Sequence, residues 1–350
     1  MQESYETVAG AEADPAPHID WAQTMELRRQ LDKQGFGIAE AMDTAQRYEL
    51  GWNVAERLIQ GTGRLGLKNG FVAGAGIDHL PSPKSVDEVS QGWAFQSAMI
   101  QGAGGVPVLL CVPELMALAP SEDEFVRAYA QLIAAHPGPL LIHWLGPAFH
   151  PGLSGYFPGD TFLRIMALDT HKVLGCKLSL LDAEFERRMR RTLMPNGQIV
   201  LTGDDFNFPD LIVGDSAEAV GEIEFLGRTY PRGDFSHALL GVFNPISRCA
   251  SLALAFLADG DSNRAHQILK STEPLARILF EAPTQNYKAG IAYLAWLDGR
   301  QPNSMLPFHA ENARSPEHLH QIAGAAAACG SLRDLEAAAV RLDEKGSQRN

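Results

Sequence analysis

Val173–Glu184 reads VLGCKLSLLDAE. Lys177 stands in the middle of a run that otherwise asks to be buried. Strand side chains alternate between faces. Leu174, Cys176, Leu178 and Leu180 then share one face, and Val173, Gly175, Lys177 and Ser179 share the other. The first face is uniformly apolar, as under a helix layer. The second is expected to face a barrel interior, where small neighbours leave room for the lysine and for a ligand.

Similar apolar runs recur on either side: GFGIAEA (35–41), GFVAGAG (70–76), VPVLLCV (106–112), PLLIHWL (139–145), KVLGCKL (172–178), QIVLTGD (198–204) and HALLGVF (237–243). Most are separated by the length of one strand-plus-helix unit. The links carry helix signals. Ser85 with Glu88 and Ser121 with Glu124 have capping-box spacing. Strands alternating with helices imply a parallel sheet. Seven runs plus a weaker one near Tyr5–Ala9 make eight, which favours an α/β fold of the (β/α)8 TIM barrel type over an open doubly wound sheet. No GxGxxG opens a helix after the first strand, so a dinucleotide fold is disfavoured. GTGRLG (61–66) reads as a loop.

After Pro245 helical segments follow at 246–259, 262–280, 285–298, 315–328 and 331–344. The expected division is a barrel over 1–260 and a C-terminal helical extension over 261–350 packed on it. The segment 216–233 between the last two strands reads as a hairpin or an ordered loop.

The net charge of −13 over 350 residues weighs against nucleic acid and against anionic membrane surfaces. The N-terminus lacks a signal peptide's basic and apolar regions, and no apolar run reaches a spanning length. A cytoplasmic protein is expected, with Cys111, Cys176, Cys249 and Cys329 as small buried hydrophobes.

Burial disfavours an ammonium group and lowers its pKa. The neutral amine adds to carbonyls and yields an imine, an electron sink. The competing reading is a lysine buried against Asp204 or Asp205, which follow Leu201-Thr202-Gly203 at a strand end. Either carboxylate could also orient the lysine, bind substrate hydroxyls or cap the next segment. Asp78 and His79 follow the strand 70–76, and His143 lies in the strand 139–145. Asn207 and Asn244 are further polar candidates. Glu40, Asp43, Asp78, His79, His143, Asp204 and Asp205 at strand ends also raise a divalent metal, without any HxH or HExxH spacing.

Several stretches carry a family resemblance: FVAGAGIDHL (71–80), GAGGVPVLLCVP (102–113), PLLIHWLGP (139–147), VLGCKLSLLDA (173–183), IVLTGDDFNFPDLI (199–212), ALLGVFNPI (238–246) and YKAGIAYLAWLDG (287–299). The chain resembles the dihydrodipicolinate synthase / N-acetylneuraminate lyase superfamily of class I aldolases. Within it, the chain looks most like a divergent branch known as a dihydrodipicolinate-synthase-like domain of unknown function. The resemblance implies a (β/α)8 barrel with a helical extension and a homo-oligomer, dimer or tetramer. It also implies a Schiff base between Lys177 and a 2-oxo acid, with no other cofactor. Two departures stand out. His143 occupies the position of the family's proton-relaying tyrosine, and histidine shuttles protons near neutral pH. The family's Gly-Thr-Thr-Gly-Glu turn is replaced by AEAMDTAQR (39–47). Thr44 still offers a hydroxyl, but Glu40 and Asp43 would repel a carboxylate, so a hydroxylated, sugar-derived carbonyl suits the site better than pyruvate.

The expected function is a class I aldolase, lyase or dehydratase acting on a small-molecule carbonyl substrate. Lys177 is the nucleophile, His143 the proton carrier, and Asp204 and Asp205 orienting groups. Glu40, Asp43, Thr44, Asp78, His79 and Asn244 would line the substrate. The alternatives are a metal-dependent sugar isomerase or hydrolase, and a non-catalytic metabolite-binding barrel.

Overall fold

The short apolar runs do become a parallel sheet. The computed structural model describes residues 4–5, 18–44, 46–216 and 218–347. They divide into two units. One runs from Gly37 to Leu239, and the other combines the N-terminal residues up to Phe36 with those from Leu240 onward.

The N-terminal segment holds β1 (Ser4–Tyr5), β2 (Ile19–Asp20) and α1 (Trp21–Lys33). β1 and β2 pair with each other, antiparallel. Of the weak strand expected near Tyr5–Ala9, Tyr5 pairs with Ile19 and not with the parallel sheet; residues 6–9 lie outside the described residues.

The first unit continues with β3 (Ile38–Glu40), α2 (Arg47–Leu50), α3 (Trp52–Gly63), β4 (Phe71–Ala75), α4 (Val86–Gly102), β5 (Val106–Leu109), α5 (Pro113–Leu118) and α6 (Glu122–Ala135). Then come β6 (Leu140–Leu145), α7 (Thr161–Met166), β7 (Val173–Ser179), α8 (Ala183–Leu193), β8 (Ile199–Thr202), α9 (Phe208–Val213), β9 (Ala219–Phe225), β10 (Arg228–Gly233) and β11 (His237–Ala238). Seven parallel strands run in the order β11-β8-β7-β6-β5-β4-β3. They form the curled wall of a TIM-barrel fold, and among the described residues no eighth strand joins them. The HALLGVF strand is confined to His237–Ala238 in the ladder.

Ser85 and Ser121 cap α4 and α6 through the backbone N–H of Glu88 and Glu124, as their spacing predicts. The GTGRLG loop is corrected in part: Gly61–Gly63 form the last turn of α3. A Cβ on Gly63 would lie 2.3 Å from the Ala103 carbonyl oxygen, so a glycine there admits a close approach of the chain after α4.

The alternation expected for 173–180 holds from Gly175 onward. A register shift at the β6–β7 pairing leaves Leu174 opposite no partner. Leu174 consequently packs against the apolar cluster of Val72, Val106, Val108, Leu141, Ile199 and Leu201 inside the barrel, not under the helices.

Within the segment 216–233, Ala219–Gly233 form a hairpin. Leu226 and Gly227, both with positive φ, make its two-residue turn. Ile223 and Phe225 join the interior cluster. Leu226 lies against Gly70, and the Arg228 guanidinium bonds Asn69, both just before β4. The hairpin therefore plugs the N-terminal end of the barrel.

The second unit continues with α10 (Ser247–Ala258), α11 (Ser262–Leu279), α12 (Tyr287–Leu297), α13 (Pro316–Ala328) and α14 (Leu335–Ser347). Within it Ser251 Oγ donates to the Gln34 carbonyl, and Phe36 meets Phe243 edge to face. No described helix is long and apolar enough to cross a membrane.

Candidate functional site

Parallel pairing places His143 of β6 directly beside Lys177 of β7, and Lys177 beside Leu201 of β8. Parallel partners share a face, and Leu201 belongs to the interior cluster, so the lysine and the imidazole both project into the barrel. Lys177 is 7% exposed and His143 fully buried. Both lie toward the C-terminal ends of their strands, where barrels of this kind gather chemistry.

Asp43 comes from the turn after β3. Ala41 there has φ 47°, a left-handed conformation uncommon for alanine. This kink breaks the strand alternation. Glu40, still on β3, is buried and accepts from Thr62 Oγ1 of α3, so it faces the helix layer. Beyond the kink Asp43 Oδ2 approaches His143 Nδ1 at 3.0 Å. The distance is that of a hydrogen bond but its alignment is poor, so the contact is an electrostatic one. On the opposite side His143 Nε2 lies 3.1 Å from Ser179 Oγ. Thr44 sits partly buried in the same turn as Asp43.

The charges act on one another. Burial would raise the Asp43 carboxyl, but His143, then Lys177 and Arg47, outweigh it and hold Asp43 below the usual carboxylate range. Burial lowers the His143 pKa, with Asp43 offsetting part of the effect and Lys177 adding to it. The imidazole is therefore neutral at neutral pH. Burial also lowers the Lys177 pKa, and Asp43 and Asp205 offset part of that.

Gly203, after β8, is built into this site. A Cβ there would fall 2.1 Å from Ser179 Oγ and 2.9 Å from Lys177 Cε. The Ser179 hydroxyl and the Lys177 side chain thus both pack against the bare backbone of Gly203.

The other candidates are distributed differently. Asp204 spends its carboxylate on a turn, accepting from the backbone N–H of Phe206 and Asn207 and from Asn207 Nδ2. Its neighbour Asp205 is the one whose charge acts on Lys177. Asp78 receives two bonds from Arg47, at 2.8 and 3.1 Å, and one from Gln96. His79 stacks on Phe95 of α4 and contacts Gln96 through Nδ1. Asn244 lies in the second unit and accepts from Arg300 through both its backbone and side-chain oxygens. Among the described residues no group of three or more His, Cys, Asp or Glu side chains is placed to hold a metal ion.

Three site residues escape sequence reasoning. Arg47 is fully buried and donates to Ala41 O, Gly74 O, Gln96 Oε1 and both oxygens of Asp78, which engages all five guanidinium N–H groups. An arginine closing the turn AEAMDTAQR was the available signal. Tyr48 follows it. Although Tyr48 is 46% exposed as a residue, burial at its hydroxyl end, then the Asp43 charge, raises its phenol. Ser179 counts in the sequence only as a small neighbour of Lys177, and its closeness to His143 depends on the pairing of two strands.

The whole geometry can be set beside known proteins. The family model described as "Protein of unknown function (DUF993)" matches residues 5–345. No curated protein matches the chain. Solved structures do. A dihydrodipicolinate synthase from Acinetobacter baumannii complexed with pyruvate is similar at 16% identity and TM-score 0.62, over 89% of this chain and 94% of the other. A monomeric dihydrodipicolinate synthase variant is similar at 15% identity and TM-score 0.67, over 95% of each. The dihydrodipicolinate synthase from Thermotoga maritima is similar at 16% identity and TM-score 0.65, over 90% and 94%. At such identities the likeness is one of fold.

Proposed function

We propose that this chain, which belongs to the DUF993 family of proteins of unknown function, is a Schiff-base lyase of the class I aldolase type acting on a neutral, hydroxylated carbonyl compound. One observation carries the reading: a desolvated lysine on the inner barrel face, in register with a buried neutral histidine. Lys177 Nζ adds its lone pair to the substrate carbonyl carbon. The oxygen takes up the proton released by nitrogen and a second proton, and leaves as water. The iminium nitrogen then accepts the electron pair of a breaking C–C bond or, in a dehydration, of an α C–H bond, after which the enamine expels the protonated β-oxygen as water; water later hydrolyses the imine. His143 moves the protons, and Asp205 helps place the amine.

The charges favour a neutral substrate. Asp43 and Asp205 both act on Lys177. The nearby guanidinium, Arg47, has every donor engaged, so it offers nothing to a substrate carboxylate. Substrate hydroxyls would instead donate to these carboxylates. A 2-oxo acid such as the pyruvate bound by the Acinetobacter baumannii structure would meet like charge here.

Borohydride reduction during incubation with keto-sugars and with 2-oxo acids tests both parts. A stable adduct on Lys177 from the hydroxylated ketones, absent in Lys177→Met, is the expected result. Lack of an adduct from any member of either pool would sink the lyase reading. An adduct formed only by 2-oxo acids would sink the substrate class.

A further inference from the structure

We propose that Ser179 is a catalytic residue, the substrate-facing end of an Asp43–His143–Ser179 relay that carries the proton for the imine on Lys177. The inference rests on the Schiff-base reading above and adds the group that touches the reacting atoms.

The geometry is a continuous line of polar atoms in a buried interior. Asp43 Oδ2 lies 3.0 Å from His143 Nδ1, and His143 Nε2 lies 3.1 Å from Ser179 Oγ. Ionised Asp43 favours the proton on Nδ1, which leaves the Nε2 lone pair to accept the serine hydroxyl. All three side chains are almost completely buried, so bulk water does not compete for them. The order acid, imidazole, hydroxyl is that of acyl-transfer enzymes, but here the acid–imidazole contact is electrostatic and the hydroxyl stands beside an amine. Ser179 and Lys177 are two residues apart on one strand face. Both side chains pack against the backbone of Gly203. A carbonyl carbon bound to Nζ therefore places its neighbouring carbon within the serine's surroundings. His143 Nε2 is already occupied by that hydroxyl, so a proton leaving the substrate reaches the imidazole through it.

The step balances. In the iminium, the electrons of an α C–H bond move into a new C–C π bond as the C=N π pair moves to nitrogen. The released proton goes to Ser179 Oγ while the serine's own proton passes to His143 Nε2. The imidazolium formed lies between Asp43 and the serine. Reversal returns a proton to carbon. In retro-aldol cleavage the β-hydroxyl proton takes the same path, and the aldehyde leaves as the C–C pair moves into the enamine.

Dihydroxyacetone is the probe, and two readouts are taken from one sample. Borohydride trapping reports the imine, and loss of the α-hydrogen signal in D2O reports proton transfer. Ser179→Ala is expected to trap the probe on Lys177 near the wild-type level and to lose exchange by about 100-fold or more, the usual worth of a positioned acid–base group. Ser179→Thr keeps a hydroxyl and is expected to retain most of the exchange. Wild-type exchange per imine trapped at the same pH should hold constant as pH falls to about 6.5, the ordinary histidine value, because burial lowers the His143 pKa and keeps the base neutral. Undiminished exchange in Ser179→Ala, or a threonine variant as inactive as the alanine one, overturns the relay and leaves the imine standing. No trapping in the wild type overturns the imine reading and the relay with it.

Discussion

Lys177 and Gly203 carry consequences that follow from single atoms. Burial disfavours the ammonium form of Lys177, and only the neutral amine attacks a carbonyl. The rate of imine trapping should therefore fall as pH drops through the lowered lysine pKa and be level above it, with the plateau beginning below about 10.4, the ordinary lysine value. A rate that keeps rising through pH 10.4 would mean an unperturbed amine. At Gly203 a methyl group would overlap Ser179 Oγ and crowd Lys177 Cε. Displacing reacting groups by an ångström costs on the order of 100-fold. Gly203→Ala should lose at least that much α-hydrogen exchange while its circular dichroism stays that of a folded barrel. Sequence alternation puts Lys177 and Ser179 on one face. It says nothing of Asp43, whose position depends on the positive φ of Ala41, nor of Arg47, whose five bonds reach β4, α4 and the turn itself.

Strands and helices set the next scale. The registers of β6, β7 and β8 bring His143 and Lys177 together, and the hairpin β9–β10 closes the far end. Phe225 of that hairpin is buried in the interior cluster. Phe225→Ala should destabilise the protein by about 3 kcal/mol, measured by denaturant unfolding, and leave Lys177 trapping unchanged, since the plug is at the opposite end of the barrel. Reduced trapping in the folded variant would contradict that separation. Helix α8 supplies a pH signature. Glu186 is buried, accepts from Ser236 Oγ and Thr202 Oγ1, and is pushed up by burial to about 7. Its folded pKa lies above its unfolded value, so the folded state holds the proton more tightly. The resulting stability is fully present below about pH 4.5, fades as pH rises, and is lost above about 7, a change of roughly 3 kcal/mol. Glu186→Gln should flatten the pH dependence of the melting temperature across that window, and an unchanged slope would show that another group titrates there. The helix caps at Ser85 and Ser121 were legible because capping is local. The fate of 216–233 was not, because a hairpin's apolar face has no address until a barrel end needs filling.

For the whole chain, the net charge of −13 sets a field that repels anions. Steering of this kind is screened by salt, with a Debye length of about 10 Å at 0.1 M. Trapping of dihydroxyacetone should be indifferent to ionic strength. Any trapping of pyruvate should accelerate between low salt and about 0.5 M, and a pyruvate rate that falls with salt would contradict the repulsion. The sequence by itself determined the parallel αβ rhythm, the inward face of Lys177 and the helical character of the C-terminal part. Each of these is written in residue periodicity, which steric alternation and apolar burial convert directly into structure. The tertiary structure alone decided which polar groups meet. It turned Glu40, Asp78 and His79 toward helices, spent Asp204 on a turn, and aligned Asp43, His143 and Ser179. The contacts of His143 with Asp43 and with Ser179 join residues 100 and 36 positions apart, and only the closing of the sheet fixes the angle at which such side chains arrive.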